Sequence, residues 1–168
     1  MDRTGAALLT LSLIVVAAGL MLLGWRGRLR RQQGLASLPA LPAEAGQPLE
    51  AYPGQYVVTT SAGDWLDRVG VHGLGIRGNA VLQVYPHGLL FERSGAPDLY
   101  IPQADVKAVR TESGMIGKFV EKDGLAVVTW QLGDRDVDTA FRTRNAADKA
   151  PLLAQLTSLV PTSSQDEE

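Results

Sequence analysis

The string Gly73-Leu74-Gly75-Ile76-Arg77-Gly78 has the glycine spacing of a loop that cradles phosphate. A dinucleotide-binding loop of that kind follows a strand and opens a helix, so that the helix N-terminus meets the pyrophosphate. Here Asn79 leads instead into Ala80 to Tyr85 (AVLQVY), which reads as a strand. A kinase-type glycine loop does lie in a hairpin, but no HRD or DFG string follows it in this chain. The expectation is a loop whose glycines take positive φ. Gly114-Met115-Ile116-Gly117-Lys118 ends like a P-loop, yet it is two residues short, and Phe119 stands where a Mg²⁺-binding Ser or Thr is needed.

The two histidines, His72 and His87, have Asp64, Asp67 and Glu92 as carboxylate partners, a set that could bind Zn²⁺ or act as acid and base. They lack a third ligand at a recognisable spacing and a serine elbow. Asp134, Asp136 and Asp138 alternate along one strand face, which reads as a solvated face; a Ca²⁺ site needs a glycine-bearing ligand loop. No catalytic residue, metal ligand or cofactor is therefore assigned, and the chain is expected not to be an enzyme. With no cysteine there is no disulfide and no thiolate metal site.

The elements that must position these residues are mostly strands. Gln55 to Ser61 (QYVVTTS) is rich in β-branched residues, and a long Gly-rich excursion, Ala62 to Asn79, follows it. Ala80 to Tyr85 and Leu89 to Arg93 flank the turn-forming Pro86, His87 and Gly88, a hairpin pattern. Asp98 to Ile101 is a short edge strand between prolines. Asp105 to Glu112 alternates, with Val106, Ala108 and Arg110 expected on one face. Leu125 to Leu132 and Asp136 to Arg142 form a hairpin across Gly133-Asp134-Arg135, with Val137, Thr139 and Phe141 facing one way. The last segment switches period: Asn145 caps a helix that buries Leu152, Leu153, Leu156, Leu159 and Val160, starting near residues 147–150 so that Pro151 lies in or close to the first turn.

At the other end, residues 5–24 contain no charge, and a helix of that length covers the roughly 30 Å hydrocarbon core of a bilayer. A cleaved signal peptide has a shorter apolar stretch and small residues at its exit. This stretch instead exits through Trp25, Arg26, Arg28, Arg30 and Arg31, against a single Arg3 beside Asp2 at the start. Basic flanks stay cytoplasmic, so the N-terminus is expected outside and the rest inside, at the plasma membrane, with Trp25 and the four arginines at the headgroups. Residues 25–50 read as a basic juxtamembrane segment and Pro-rich tether, 51–160 as the folded domain, and 161–168 as a disordered acidic tail. A chain of 168 residues leaves room for one span and one domain, and a net charge of −2 excludes a strongly basic nucleic-acid binder.

About seven antiparallel strands closed by a C-terminal helix make a mainly β, partly open barrel. With TTSAGDWLDRVGVHGLG, GLLFERSGAPDLYIP, GKFVEKDGLAVVTWQLG and DVDTAFR in it, the chain resembles a family of small actinobacterial single-pass membrane proteins with a bacterial pleckstrin-homology (PH)-like domain. Members of that family are associated with export or transport and have no demonstrated activity. The resemblance implies a fold and a location, and it carries over no catalytic residue. It also implies that the excursion after the first strand is the ligand loop, with Trp65, Arg68, His72 and Arg77 as its candidate residues. Asp64 and Asp67 cancel Arg68 and Arg77 there, which disfavours phosphoinositide headgroups. Trp65 and Leu66 are expected to cover the core, the alternative being that they wedge into the interface. The function expected is a membrane-anchored binding or scaffold module that docks a protein partner. The alternatives are an accessory subunit of a transport or export complex, and a domain that binds anionic lipid headgroups. Its contacts would be the bilayer and a protein partner, with no nucleic acid.

Overall fold

The computed structural model describes residues 3–32, 36–115, 118–119 and 124–161. The chain divides into two compact units, residues 1–34 and 35–168.

The first unit is one helix, α1 (Arg3–Gln32). Its window Ala7–Gly24 has a mean hydropathy of 2.5 and is long and apolar enough to cross a membrane. The Ser12 hydroxyl donates to the Leu9 carbonyl at 2.8 Å, so the polar side chain is satisfied within the helix. The helix continues well past Gly24. Residues 25–32, which include the basic juxtamembrane segment, are helical, because nothing between Trp25 and Gln32 is a helix breaker other than Gly27.

The second unit is an antiparallel sheet around one core. In chain order its strands are β1 (Glu50–Ser61), β2 (Asp64–Arg68), β3 (Gly78–Tyr85), β4 (Gly88–Arg93), β5 (Leu99–Pro102), β6 (Val106–Glu112), β7 (Gly114–Met115), β8 (Lys118–Phe119), β9 (Leu125–Leu132) and β10 (Arg135–Thr143), followed by α2 (Lys149–Leu159). The main sheet runs β5-β4-β3-β1-β10-β9-β6, with β2 added to β1, while β7 and β8 pair separately. One buried cluster takes Phe91, Leu99 and Ile101 from one end of that path and Val106, Val128 and Trp130 from the other. The sheet therefore curls until both ends share a core. Tyr56, Phe91 and Phe141 stack edge-on through its middle, with centroids 5.9 Å apart in each pair. Leu152, Leu156 and Leu159 of α2 are buried in the same core, with Leu153 and Val160 partly buried against it.

Pro151 is the third residue of α2, where its missing N–H costs nothing. Asn145 does not cap as expected: its amide donates to the Asp148 carboxylate at 3.0 Å instead of its oxygen accepting a backbone N–H. Two bulges decide which residues face inward. One falls between Tyr56 and Val58, so that Tyr56 and Thr59 both point into the core. The other falls between Val106 and Ala108. It corrects the expected face of β6: Val106 and Val109 pack on the core, while Arg110 turns outward. Gly54 is required by close approach, since a Cβ there would lie 2.5 Å from the Phe141 ring and 2.2 Å from the Arg142 carbonyl.

The expected tether behaves differently too. Leu38 packs against the main core, and Leu41 and Ala45 cover Tyr85, Leu90 and Tyr100 on the other face of the sheet. The proline spacing, with no helical or alternating period, hid these apolar contacts. Residues 36–49 are thus a strap on the domain as well as its connection to what precedes.

Candidate functional site

The excursion between β1 and β3 was expected to be a loop throughout. Half of it is structured. The β1–β2 hairpin turns at Ala62-Gly63, where Gly63 takes φ 76°, and the Ser61 hydroxyl donates to the Asp67 carboxylate at 2.6 Å across its mouth. Asp64 accepts from the Leu66 N–H at 3.0 Å, an Asx-type turn that stiffens the strand start. Val69 and Leu74 then dip into the core, held by Val69 N–H to Thr59 O at 3.0 Å and Thr59 N–H to Leu74 O at 2.9 Å. Between them lies a 3-10 turn, Val71–Gly73, in which His72 adopts φ 55°.

A buried polar chain fixes this segment from beneath. The Tyr56 hydroxyl donates to the Leu74 carbonyl at 2.8 Å and shares a 2.6 Å hydrogen bond with the Thr59 hydroxyl. Thr59 meets Thr139 at 2.7 Å, and the Trp130 indole N–H donates to Thr139 at 2.9 Å. Burial pushes the Tyr56 phenol up to about 12, against the lowering by Thr59 and Arg93, so it remains a donor at every physiological pH. Arg93 closes the chain. Its Nε donates to Pro97 O at 2.7 Å, and its two terminal nitrogens donate to Gly73 O at 2.9 Å and His72 O at 3.2 Å, with the guanidinium 4.7 Å from the centroid of the Tyr56 ring. Burial lowers the Arg93 pKa, partly offset by Tyr56 and Asp98. These groups support the loop; they are too far inside to meet a ligand.

What the excursion shows to solvent is apolar. Trp65 is 48 % exposed, Leu66 61 % and Ile76 54 %. Trp65 and Leu66 were expected to cover the core, and this is corrected by geometry: the core already has Val69 and Leu74 from the same segment, and β2 is an edge strand raised by the hairpin. Arg68, His72 and Arg77 are also exposed on this excursion. Arg77, however, turns back onto β1, with its Nε donating to the Gln55 side-chain oxygen at 2.8 Å. The structure thus places Trp65, Arg68 and His72 on one surface segment and leads Arg77 to a neighbouring one. Arg26, Arg28, Arg30 and Arg31 lie within α1, and Arg26 is exposed.

His87 sits in the β3–β4 turn, away from His72, where its carbonyl accepts from the Tyr100 hydroxyl at 3.0 Å. Among the described residues no group of three or more His, Asp or Glu is placed to hold a metal ion. Asp134, Asp136 and Asp138 do not form one solvated face either. Lys107 pairs with Asp136 at 2.6 Å, while Asp138 is only 3 % exposed and is held by Arg110 at 2.8 Å, the Thr129 hydroxyl at 2.6 Å and the Gly63 N–H at 3.2 Å.

The sequence reading missed a second feature. A cleft of about 410 Å³ opens on the outer face of the sheet, where β3, β1 and β10 meet the start of α2, and Arg142, Arg144 and Lys149 are among its walls. Its sequence signal is slight: two arginines at alternate positions closing a strand and a lysine one turn later.

A family model described as bacterial PH domain-like matches residues 35–157. The chain belongs to this family. The match begins where the strap begins and ends inside α2, so strap, sheet and closing helix together make up the bacterial PH domain-like fold. No curated protein matches the chain. Among solved structures, the crystal structure of the C-terminal domain of an unknown protein from Leishmania infantum is similar at a TM-score of 0.40 and 14 % identity, covering 79 % of this chain and 94 % of that one.

Proposed function

We propose that the protein is a single-pass membrane-anchored binding module whose PH-like domain docks a protein partner through the excursion between β1 and β3. One observation carries this reading: Trp65, Leu66 and Ile76 are exposed on a segment that is otherwise fastened to the core at Val69, Leu74 and Arg93. Exposed large apolar side chains on a stiff support are the anchor residues of interfaces, tryptophan above all. A stiff support also reduces the ordering cost of association. The charges nearby favour a protein over an anionic bilayer, because Asp64 and Asp67 offset Arg68 and Arg77. The basic exit of α1 favours a cytoplasmic domain at the plasma membrane, with the N-terminus outside.

The test is photo-crosslinking of the full-length protein in its native membrane. A crosslinking residue at position 65 should give a discrete protein adduct that a residue at position 134 does not, and Leu66→Asp should abolish it. Adducts with lipid alone at position 65 would overturn the reading.

A further inference from the structure

We infer that the docking surface does not end with the excursion but continues onto the β4–β5 turn, residues 94–98, and that the partner it takes is an apolar protein face bordered by basic side chains. This rests on the docking reading above and extends it to a second loop.

The two loops are fastened into one body. The Ser94 N–H donates to Asn79 O at 2.9 Å, so the turn is tied down where the excursion ends. Further along, a Cβ placed on Gly73, which takes φ 67°, would lie 3.3 Å from Pro97 Cδ, 3.5 Å from Ala96 Cβ and 3.8 Å from Ile76 Cδ1. The side chains of Ile76, Ala96 and Pro97 thus gather around one glycine. Arg93 holds both loops from beneath, because its guanidinium donates to Pro97 O on one and to His72 O and Gly73 O on the other. The Asp98 carboxylate accepts the Arg93 backbone N–H at 3.0 Å and steadies the turn.

What this body shows to solvent is apolar in its middle: Ile76 and Pro97 are exposed and Ala96 is half-buried. Apolar side chains spread over a stiff support suit the centre of an interface, since few groups lose freedom on association. The polar border leans acidic. Arg77 is turned onto Gln55, and Arg93 is spent on three carbonyls under the surface. Asp64 and Asp98 are exposed, and each gives one oxygen to a backbone N–H, with no bond to the second oxygen among the described residues. Arg68 is exposed as well, so the border is mixed in sign with the acids in excess. Such a border favours lysine and arginine on the facing protein and disfavours carboxylates and anionic headgroups.

Full-length protein in its native membrane would carry a photo-crosslinking residue at position 97 and, in separate samples, at 65 and at 134. Adducts of the same protein from 65 and 97, absent from 134 and reduced about tenfold or more by Ile76→Asp, support the continuous surface. Position 94, exposed on the same turn, gives the same reading if replacing Pro97 prevents folding. Asp64→Asn with Asp98→Asn keeps an acceptor oxygen at each position and removes the charge. It should lower both adducts about threefold at low salt, with the loss fading as salt rises. An adduct at 65 with none at 97 or 94, or different proteins at the two loops, would overturn the inference and leave the docking reading in place. No protein adduct at 65 would overturn both. Wild-type yield from the double asparagine variant at every salt concentration would overturn the basic border.

Discussion

Asp138 and Arg93 show how single side chains set the shape of this domain. The Arg93 guanidinium satisfies three carbonyls that no strand partner can reach, and this holds His72 in a left-handed conformation that a non-glycine residue rarely takes. Asp138 is a buried carboxylate tying β10 to β6, β9 and the β1–β2 turn. Burial alone would raise its pKa, but Arg110, Thr129 and the Gly63 N–H outweigh burial and hold it below the usual carboxylate range. A carboxyl depressed on folding contributes stability that is fully present above the unfolded value of about 4 and is lost as pH falls through the lower folded value. Asp138→Asn should therefore cost about 1–3 kcal/mol at neutral pH. The gap to wild type should shrink below about pH 4, as read by urea unfolding at a series of pH values. A gap independent of pH would mean that the carboxylate charge is not what stabilises β10.

At the scale of elements, the strap and the bulges matter most. Leu41 and Ala45 cover Tyr85, Leu90 and Tyr100, an outer-face cluster that the sheet could not otherwise keep from water. Leu41→Ala should destabilise the domain by about 1–2 kcal/mol, less than a fully buried leucine, and should speed amide exchange in β4 and β5. Unchanged exchange there would show that the strap rests on the sheet without contributing to it. The β9 boundaries and the place of Pro151 were legible from residue pattern, because both follow local rules of β-branching and helix ends. The inward face of β6 was not: a one-residue bulge reverses the alternation after Val106, and no local pattern announces it.

For the whole molecule, the proposed function assigns location to the apolar helix and recognition to the PH-like domain. Under the proposed topology, replacing Arg26, Arg28, Arg30 and Arg31 by alanine removes the charge asymmetry of α1. Reporter fusions at the C-terminus should then report mixed orientations, whereas a wild-type pattern would remove the ground for placing the domain in the cytoplasm.

The sequence by itself determined the apolar helix, from an unbroken uncharged run, and most of the antiparallel strands and the closing helix, from patterns that need only near neighbours. It also singled out Trp65, Arg68, His72 and Arg77, which do share one excursion of the chain. Only the tertiary structure decided what those residues do. Trp65 lost its place in the core to Val69 and Leu74, Arg77 was drawn onto Gln55, and Arg142, Arg144 and Lys149 gathered at one cleft. Each of these depends on strand register and on competition for a fixed core volume, and such long-range packing leaves little trace in the spacing of residues along the chain.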